Sequence, residues 1–224
     1  MRQIPLAIGI EAPHTFESFV PGANALTIAH LQALGAQAAP VYLWGPSGSG
    51  KTHLLEALVQ RFDAQGMRAG WFSAADAPPW PFEDAWELIV IDNADALDPP
   101  QQHAAFSVFV EATTRGVPLV AAGRVPPVDL NLREDLRTRL GWGHVFAVQP
   151  LGEAEVRATL RRVADQRGIF FSDDVMDYLL TRFARDLKHL IAQLDRLDAF
   201  SLATKRQITV PLLKQMLAEE GGSP

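Results

Sequence analysis

The sequence predicts an α/β fold with a parallel sheet, followed by a small unit made only of helices. Three observations predict it. Short apolar runs typical of buried strands alternate with helical stretches as far as Pro150. A glycine-rich loop, residues 45–52, lies between the first such run and a helix. After Pro150 the apolar spacing is helical throughout, and 224 residues with 48% apolar content suffice for two such parts.

Composition and charge exclude several classes of protein. There is no Cys, which excludes a disulfide framework, a thiolate metal site and a catalytic thiol. No apolar run reaches the roughly 18 residues of a membrane span, and residues 1–5 lack a signal-peptide pattern, so we expect a soluble cytoplasmic protein with no membrane partner. The net charge is −6. This acidic balance argues against a large DNA-binding surface.

The charge is unevenly distributed. Residues 1–150 carry nine Lys and Arg against fifteen Asp and Glu, whereas residues 151–224 carry eleven of each. We therefore expect an arm over residues 1–14, an α/β domain over 15–150 and a helical domain over 151–224.

The predicted elements follow this division. Pro5 and Pro13 disfavour helix in the arm. Asn24 is expected to cap a helix reaching about residue 36, with Leu26, Ala29, His30 and Ala33 on one face. The predicted strands are 41–44, 69–72, 88–91, 117–121 and 145–148, and the helices among them are 52–65, 100–114 and 136–140. Later helices are predicted over 153–166, 173–182, 186–203 and 211–219, with Ser172 as the N-cap of the second.

The glycine-rich loop fits the pattern G-x-x-x-x-G-K-[ST] at every position. It contains, in order, Gly45, Pro46, Ser47, Gly48, Ser49, Gly50, Lys51 and Thr52. Glycines at these positions let backbone N–H groups turn inward around a β-phosphate, and the start of the next helix adds its dipole. Lys51 would reach the β- and γ-phosphates, and the Thr52 hydroxyl would bind Mg²⁺. The loop predicts binding of a nucleoside diphosphate or triphosphate.

A second carboxylate is expected at the end of a buried strand. The run 88–91 is continuously apolar and stops at Asp92, which would hold the Mg²⁺ shell directly or through water. The next residue is Asn93, where an active ATPase of this class usually carries Glu or Asp. An amide orients water but does not take its proton, so we expect slow intrinsic hydrolysis. In the alternative interpretation Asn93 only begins a turn, and Asp95 or Asp98 is the acid.

Three arginines are candidates for sensing the nucleotide. Arg137 and Arg139 close a short helix before the last strand, where an arginine could reach the γ-phosphate of a neighbouring subunit; the alternative is an ordinary surface arginine. Arg185 opens a helix of the terminal unit, where it could fold back onto the nucleotide or simply begin a solvated helix.

Together these residues resemble the AAA+ ATPases, and within them the DnaA-like family. The resemblance to DnaA is carried by Thr15-Phe16-Glu17-Ser18-Phe19-Val20-Pro21-Gly22, Leu130-Asn131-Leu132, Asp135-Leu136, Arg139-Leu140 and Trp142-Gly143. It covers nearly the whole chain. Because the sequence ends where DnaA continues into its DNA-binding domain, and has no room for DnaA's N-terminal domain, we expect a short regulatory member of the family.

The resemblance implies an AAA+ core with a C-terminal helical lid, binding ADP or ATP with Mg²⁺. It places Gly45, Gly50, Lys51 and Thr52 on the phosphates and the metal, and Asp92 on the metal. Arg139 resembles the arginine finger acting in trans, and Arg185 the second sensor. Residues 121–124 depart from the family, whose members have a small polar or acidic residue to read the γ-phosphate. Ala122 does not do so, which leaves the first sensor, and the role of Arg124, unassigned.

The resemblance also implies partners. The segment containing Gln3, Leu6 and Ile8 is similar to the motif by which this family docks on the sliding clamp, the beta subunit of DNA polymerase III. The expected function is negative regulation of replication initiation: the chain would sit on the DNA-loaded clamp, contacting DNA only indirectly, and present Arg139 to ATP-bound DnaA. An arginine finger that acts in trans implies side-by-side contact between subunits, and a homodimer or higher oligomer would satisfy this requirement. The alternatives are a helicase loader or DnaA-like adaptor that binds single-stranded DNA, and a P-loop kinase.

Overall fold

A five-stranded parallel sheet organises residues 14–150, and a separate helical unit begins at Leu151. The structure is a computed structural model that describes residues 14–183 and 187–221. The strands are β1 (Val41–Trp44), β2 (Arg68–Ser73), β3 (Trp86–Asp92), β4 (Leu119–Gly123) and β5 (His144–Ala147). The five predicted strands are confirmed, with small shifts at their ends.

The strand order, β2-β3-β4-β1-β5, determines which loops are neighbours. β4 lies between β3 and β1, and Trp44 is paired with Gly123 at the end of both strands. Since all pairs are parallel, the carboxyl ends of β3, β4 and β1 lie side by side at one edge. In open α/β sheets this edge is where ligands bind.

Helices cover both faces of the sheet: α1 (Ala25–Gln32), α2 (Lys51–Asp63), α3 (Pro99–Arg115) and α4 (Glu134–Leu140). Alternate residues of β3 therefore enter two different cores. Leu88 and Val90 pack with Leu54 and Leu58 of α2. Ile89 and Ile91 pack with the α3 side, around Phe109. This double burial confirms the interpretation of the apolar run before Asp92.

The first helix is shorter than predicted, although Asn24 does occupy its N-cap position, and the predicted face is not the one that the helix buries. α1 ends at Gln32, and Thr27, Ile28 and Leu31 are its buried residues, whereas Leu26 is 83% exposed. The Asn24 side chain makes no cap bond. Its amide nitrogen donates to the Gln149 carbonyl at 2.9 Å and its oxygen accepts from the Gln149 N–H at 2.7 Å. A long-range pairing of this kind is invisible to local capping rules.

The second unit contains α5 (Glu153–Arg167), α6 (Asp173–Arg182), α7 (Leu187–Thr204) and α8 (Val210–Gly221). Their apolar faces share one core that includes Leu160, Leu179, Leu194 and Leu212. Ser172 occupies the N-cap position of α6 as predicted, but its side chain makes no cap bond. Within the described ranges, none of the helices combines the length and apolar character needed to cross a membrane.

Candidate nucleotide-binding site

The glycine-rich loop connects β1 to α2 at the carboxyl edge of the sheet, and two of its glycines are required by close contacts. The Gly45 N–H donates to the Gly123 carbonyl at 3.3 Å, and a Cβ at Gly45 would lie 2.3 Å from the Val148 carbonyl oxygen. Gly50 has φ +94°, and a Cβ there would lie 2.6 Å from the Phe19 ring. The loop is therefore pinned to β4 on one side and covered by Phe19 on the other.

Lys51 begins α2 and points into the loop. Its Nζ donates to the Gly45 carbonyl at 2.8 Å and the Pro46 carbonyl at 2.9 Å, and the residue is 8% exposed. Burial lowers the pKa of Lys51, and the charges of Asp92 and Asp95 act against that shift. An ammonium held inside the curve of the loop is in the position expected of a phosphate ligand.

Thr52 and Asp92 are joined directly. The Thr52 hydroxyl donates to Asp92 Oδ2 at 2.8 Å, and Asp92 is 3% exposed. The other carboxylate oxygen, Oδ1, accepts from the Asn93 N–H at 2.8 Å. The structure thus brings together the two side chains that the sequence assigned to Mg²⁺, although they come from different elements.

The polar groups of the loop fit a polyphosphate with its cation. Ser49 Oγ is buried and has no hydrogen-bond partner, so a buried donor at the loop is available to an anion. Across the described ranges, no group of three or more His, Asp or Glu side chains could hold a metal ion. A cation at Thr52 and Asp92 would therefore need phosphate or water oxygens to complete its shell, which is how Mg²⁺ is usually held.

The three positions considered for the catalytic acid, Asn93, Asp95 and Asp98, make different contacts. Asn93 is exposed and has φ +53°, so it does begin a turn. Asp98 is the N-cap of α3: Oδ1 accepts from the Gln101 N–H at 2.8 Å, and the Gln101 side chain accepts from the Asp98 N–H at 2.9 Å. That capping box accounts for Asp98 as a structural residue. Asp95 pairs with Arg124, whose Nε donates to Asp95 Oδ2 at 2.5 Å and whose N–H donates to Oδ1 at 3.0 Å.

The segment before α1 is fixed to α2 by His53, a contact that the sequence did not predict. His53 Nε2 lies 2.9 Å from the Thr15 carbonyl oxygen and 3.2 Å from Ser18 Oγ. Its ring centroid lies 5.2 Å from that of Phe19, edge-on. Phe19 in turn covers Gly50, so the family-like segment 15–22 supports the phosphate loop. The only sequence signal was the resemblance itself, because nothing local relates residue 19 to residue 50.

Arg139 lies on α4 and contacts aromatic side chains of α3. Its guanidinium lies 5.1 Å from the Phe106 ring centroid and 5.9 Å from that of Phe109. It lines an open groove of about 820 Å³, and Trp142, 71% exposed, lies in the same groove. The sequence did not predict the two phenylalanines, whose i, i+3 spacing is typical of core.

Four predicted site residues lie outside the described residues. They are Gln3, Leu6 and Ile8 of the predicted arm, and Arg185, which precedes α7 in the sequence. Their roles remain predictions.

Two families match parts of this chain. The family described as "Hda, lid domain" matches residues 153–217, and the family described as "Bacterial DnaA ATPase domain" matches residues 10–71.

Solved structures of replication-initiation proteins have a similar fold. Domain III of the Thermotoga maritima replication initiation protein DnaA is 18% identical, with a TM-score of 0.75 over 92% of this chain and 96% of that one. A replication initiator DnaA bound to AMPPCP and single-stranded DNA is 19% identical, with a TM-score of 0.67 over 86% of this chain and 67% of that one. A DNA replication initiation factor is 19% identical, with a TM-score of 0.69 over 83% of this chain, which spans 64% of that factor's length. At these identities the likeness is one of fold, and it confirms the predicted AAA+ architecture.

Proposed function

This chain is an Hda/DnaA-like AAA+ protein, and we propose that it is a negative regulator of DNA replication initiation. In this proposal it binds ADP or ATP with Mg²⁺, docks on the DNA-loaded sliding clamp and stimulates hydrolysis of the ATP bound to DnaA. The observation that carries the proposal is the match of residues 153–217 to the Hda lid family. A DnaA-type ATPase domain alone would fit an initiator equally well.

The residues of the site are suited to binding a nucleotide with little ATP hydrolysis. Lys51 would hold the phosphates, while Thr52 and Asp92 would hold Mg²⁺, which neutralises phosphate charge when bound. Neither Asn93 nor the capping carboxylate of Asp98 offers a free general base next to Asp92. The proposed role of the bound nucleotide is therefore to stabilise the binding-competent fold, and hydrolysis is assigned to the partner.

Arg139 is the residue that we assign to the partner's nucleotide. It is half-buried, and its stack on Phe106 holds the guanidinium at the wall of the groove that also contains Trp142. Stacking of a guanidinium on an aromatic face restricts its rotamers without neutralising its charge. A positioned, charged arginine next to an exposed aromatic is suited to insertion into a partner's site, where it would stabilise transition-state charge in trans.

The experiment measures ATP hydrolysis by DnaA with clamp loaded on DNA. Arg139→Ala should lower the stimulated rate by a factor of about 10³ or down to the unstimulated rate, as expected for loss of an arginine finger. Arg137→Ala, on the same helix, is the matched control and should keep most of the stimulation. Equal stimulation by wild type and Arg139→Ala would overturn the assignment.

A second candidate function is single-stranded DNA binding, because one DnaA with this fold is bound to single-stranded DNA. The net charge of −6 is unfavourable for such a surface. A gel shift with single-stranded DNA at low salt separates the two functions. Binding by this chain without the clamp would favour the adaptor.

A further inference from the structure

Two histidines meet at the edge of the sheet opposite the nucleotide site. His144 is the first residue of the edge strand β5, and His30 lies in the last turn of α1. Their ring centroids are 4.5 Å apart, and the ring planes are inclined at 61°. His144 is paired with Val41, the first residue of β1, whereas the phosphate loop follows the last residue of β1. The two histidines are therefore separated from the predicted Mg²⁺ ligands by the length of a strand.

The imidazole of His30 has a nitrogen that makes no hydrogen bond. Its Nε2 is buried, and among the described residues it has no partner, which is unusual for a buried polar atom. Burial and the neighbouring His144 lower the pKa of His30, so the ring is neutral near pH 7. A neutral imidazole with an unused nitrogen is the form in which histidine binds a transition metal.

A second pair of histidine rings in the same unit provides a comparison. The rings of His14 and His53 also have centroids 4.5 Å apart. In that pair, His14 Nδ1 is hydrogen-bonded to the Glu56 carboxylate, and His53 Nε2 to the Thr15 carbonyl. Each of these bonds occupies a nitrogen that a metal would need. The ring spacing is thus the same in both pairs, whereas the unused buried nitrogen distinguishes the pair between α1 and β5.

The spacing of the rings is compatible with two ligands of one metal ion. With metal–nitrogen bonds of about 2.0–2.1 Å, two imidazoles bound roughly at right angles have their centroids about 4.5 Å apart. The carbonyl end of α1 favours a positive charge next to His30. The His144 side chain is exposed, and its backbone N–H donates to the Pro40 carbonyl at 2.8 Å. The ring can therefore turn to admit an ion while the strand stays in place.

We propose that His30 and His144 together bind one divalent transition-metal ion, with water completing its shell. The site has two protein ligands, since in the described part of the chain no third His, Asp or Glu joins them. Imidazole nitrogens select Zn²⁺ or Cu²⁺, whereas Mg²⁺ prefers oxygen ligands. The ion joins α1 to β5, and its binding requires neither the nucleotide nor the partners proposed above.

The test measures Zn²⁺ binding to the untagged full chain by titration calorimetry, with excess Mg²⁺ present to occupy sites made of oxygen ligands. Wild type should bind Zn²⁺ saturably. His30→Gln and His144→Gln should each weaken binding about tenfold or more, because loss of a mere supporting residue already costs a metal site about 10–100-fold. His14→Gln, which removes a ring from the other pair, is the matched control and should leave the Zn²⁺ dissociation constant unchanged.

A second measurement identifies the ligands directly. Cu²⁺ should bind more tightly than Zn²⁺, following the usual order of metal affinities. Pulsed electron paramagnetic resonance of the Cu²⁺ complex should show two coordinated imidazoles in wild type and one in His30→Gln or His144→Gln. Circular dichroism of each variant verifies that the fold is retained.

The outcomes separate this inference from the proposed function. Absence of saturable Zn²⁺ binding by wild type would overturn the proposal, as would wild-type affinity in either His30→Gln or His144→Gln. A loss of affinity confined to His14→Gln would place the ion at the other pair and would also overturn it. Weakening in both variants, with one imidazole fewer on Cu²⁺, would support it. Neither measurement uses a nucleotide, DnaA or the clamp, so failure of the metal site leaves the proposed function unaffected.

Discussion

At Gly50 the backbone and a neighbouring ring together exclude a side chain. Its φ of +94° strains any L-residue, and a Cβ would meet the Phe19 ring at 2.6 Å. Gly66 has φ +76° with nothing within 4 Å of its virtual Cβ, so it has the same backbone strain without the clash. The two positions therefore separate conformational strain from loss of the contact that covers the phosphate loop.

We expect Gly50→Ala to lower the free energy of unfolding by about 2–4 kcal/mol, the sum of left-handed strain and overpacking. Gly66→Ala should cost only about 1 kcal/mol. Urea denaturation followed by circular dichroism measures both. Equal losses would mean that Phe19 moves away freely and that the segment 15–22 does not support the loop.

Residues of the site were predictable where one local pattern specifies them. Lys51 and Thr52 follow from the loop motif, and Asp92 from the end of a buried apolar run. Their proximity could also be anticipated, because the parallel strands that precede them end at one edge of the sheet. The supports of the site were not predictable: Phe19 over Gly50, and Phe106 under Arg139, join positions far apart in the chain. From residue type alone, both phenylalanines would be assigned to ordinary core packing.

At the scale of the element, α3 positions the aromatic wall on which Arg139 stacks, and it begins at a full capping box. The Asp98 carboxylate and the Gln101 side chain satisfy two N–H groups reciprocally, and the helix ends at Gly116 with φ +70°. At the start of α6, by contrast, Ser172 occupies the same position without a side-chain bond. The two N-caps form a natural comparison.

Asp98→Ala should lower the free energy of unfolding by about 1 kcal/mol, the usual cost of a lost N-cap, whereas Ser172→Ala should cost clearly less. Asp98→Ala should also leave the nucleotide affinity unchanged, since the carboxylate is committed to the helix. Denaturation and ADP titration measure the two effects. A large fall in any intrinsic ATP hydrolysis in Asp98→Ala would instead restore Asp98 as the acid.

Elements were predictable where their apolar pattern is regular. The strands β1, β3 and β4 contain continuous apolar runs because they are buried on both faces, and the helices of the second unit show regular apolar spacing. The first helix was predicted poorly. At its start Asn24 pairs with Gln149, and at its end Arg61 donates to the carbonyls of Gln32, the last helical residue, and of Leu34. Such tertiary bonds override local propensity.

For the whole molecule, the distribution of charge bears on how the protein would reach DNA. The excess of Asp and Glu lies entirely within residues 1–150, and residues 151–224 are balanced, so neither part offers a net positive surface. Non-specific DNA affinity depends on such a surface. This charge balance favours localisation at replicating DNA through a partner, which is the role that we propose for the clamp and the arm.

Replacing Gln3 and Leu6 together by Ala should therefore abolish co-purification with the clamp and lower clamp-dependent stimulation of DnaA, because the arm would lose its polar anchor and one apolar contact. Pull-down on immobilised clamp and the DnaA hydrolysis assay measure the two effects. Arg139→Ala is the matched control: it should keep clamp binding and lose stimulation. Unchanged clamp binding by the double variant would show that the arm is not the docking segment. Loss of clamp binding with full stimulation would show that the clamp is dispensable, and either result would separate the catalytic proposal from the tethering proposal.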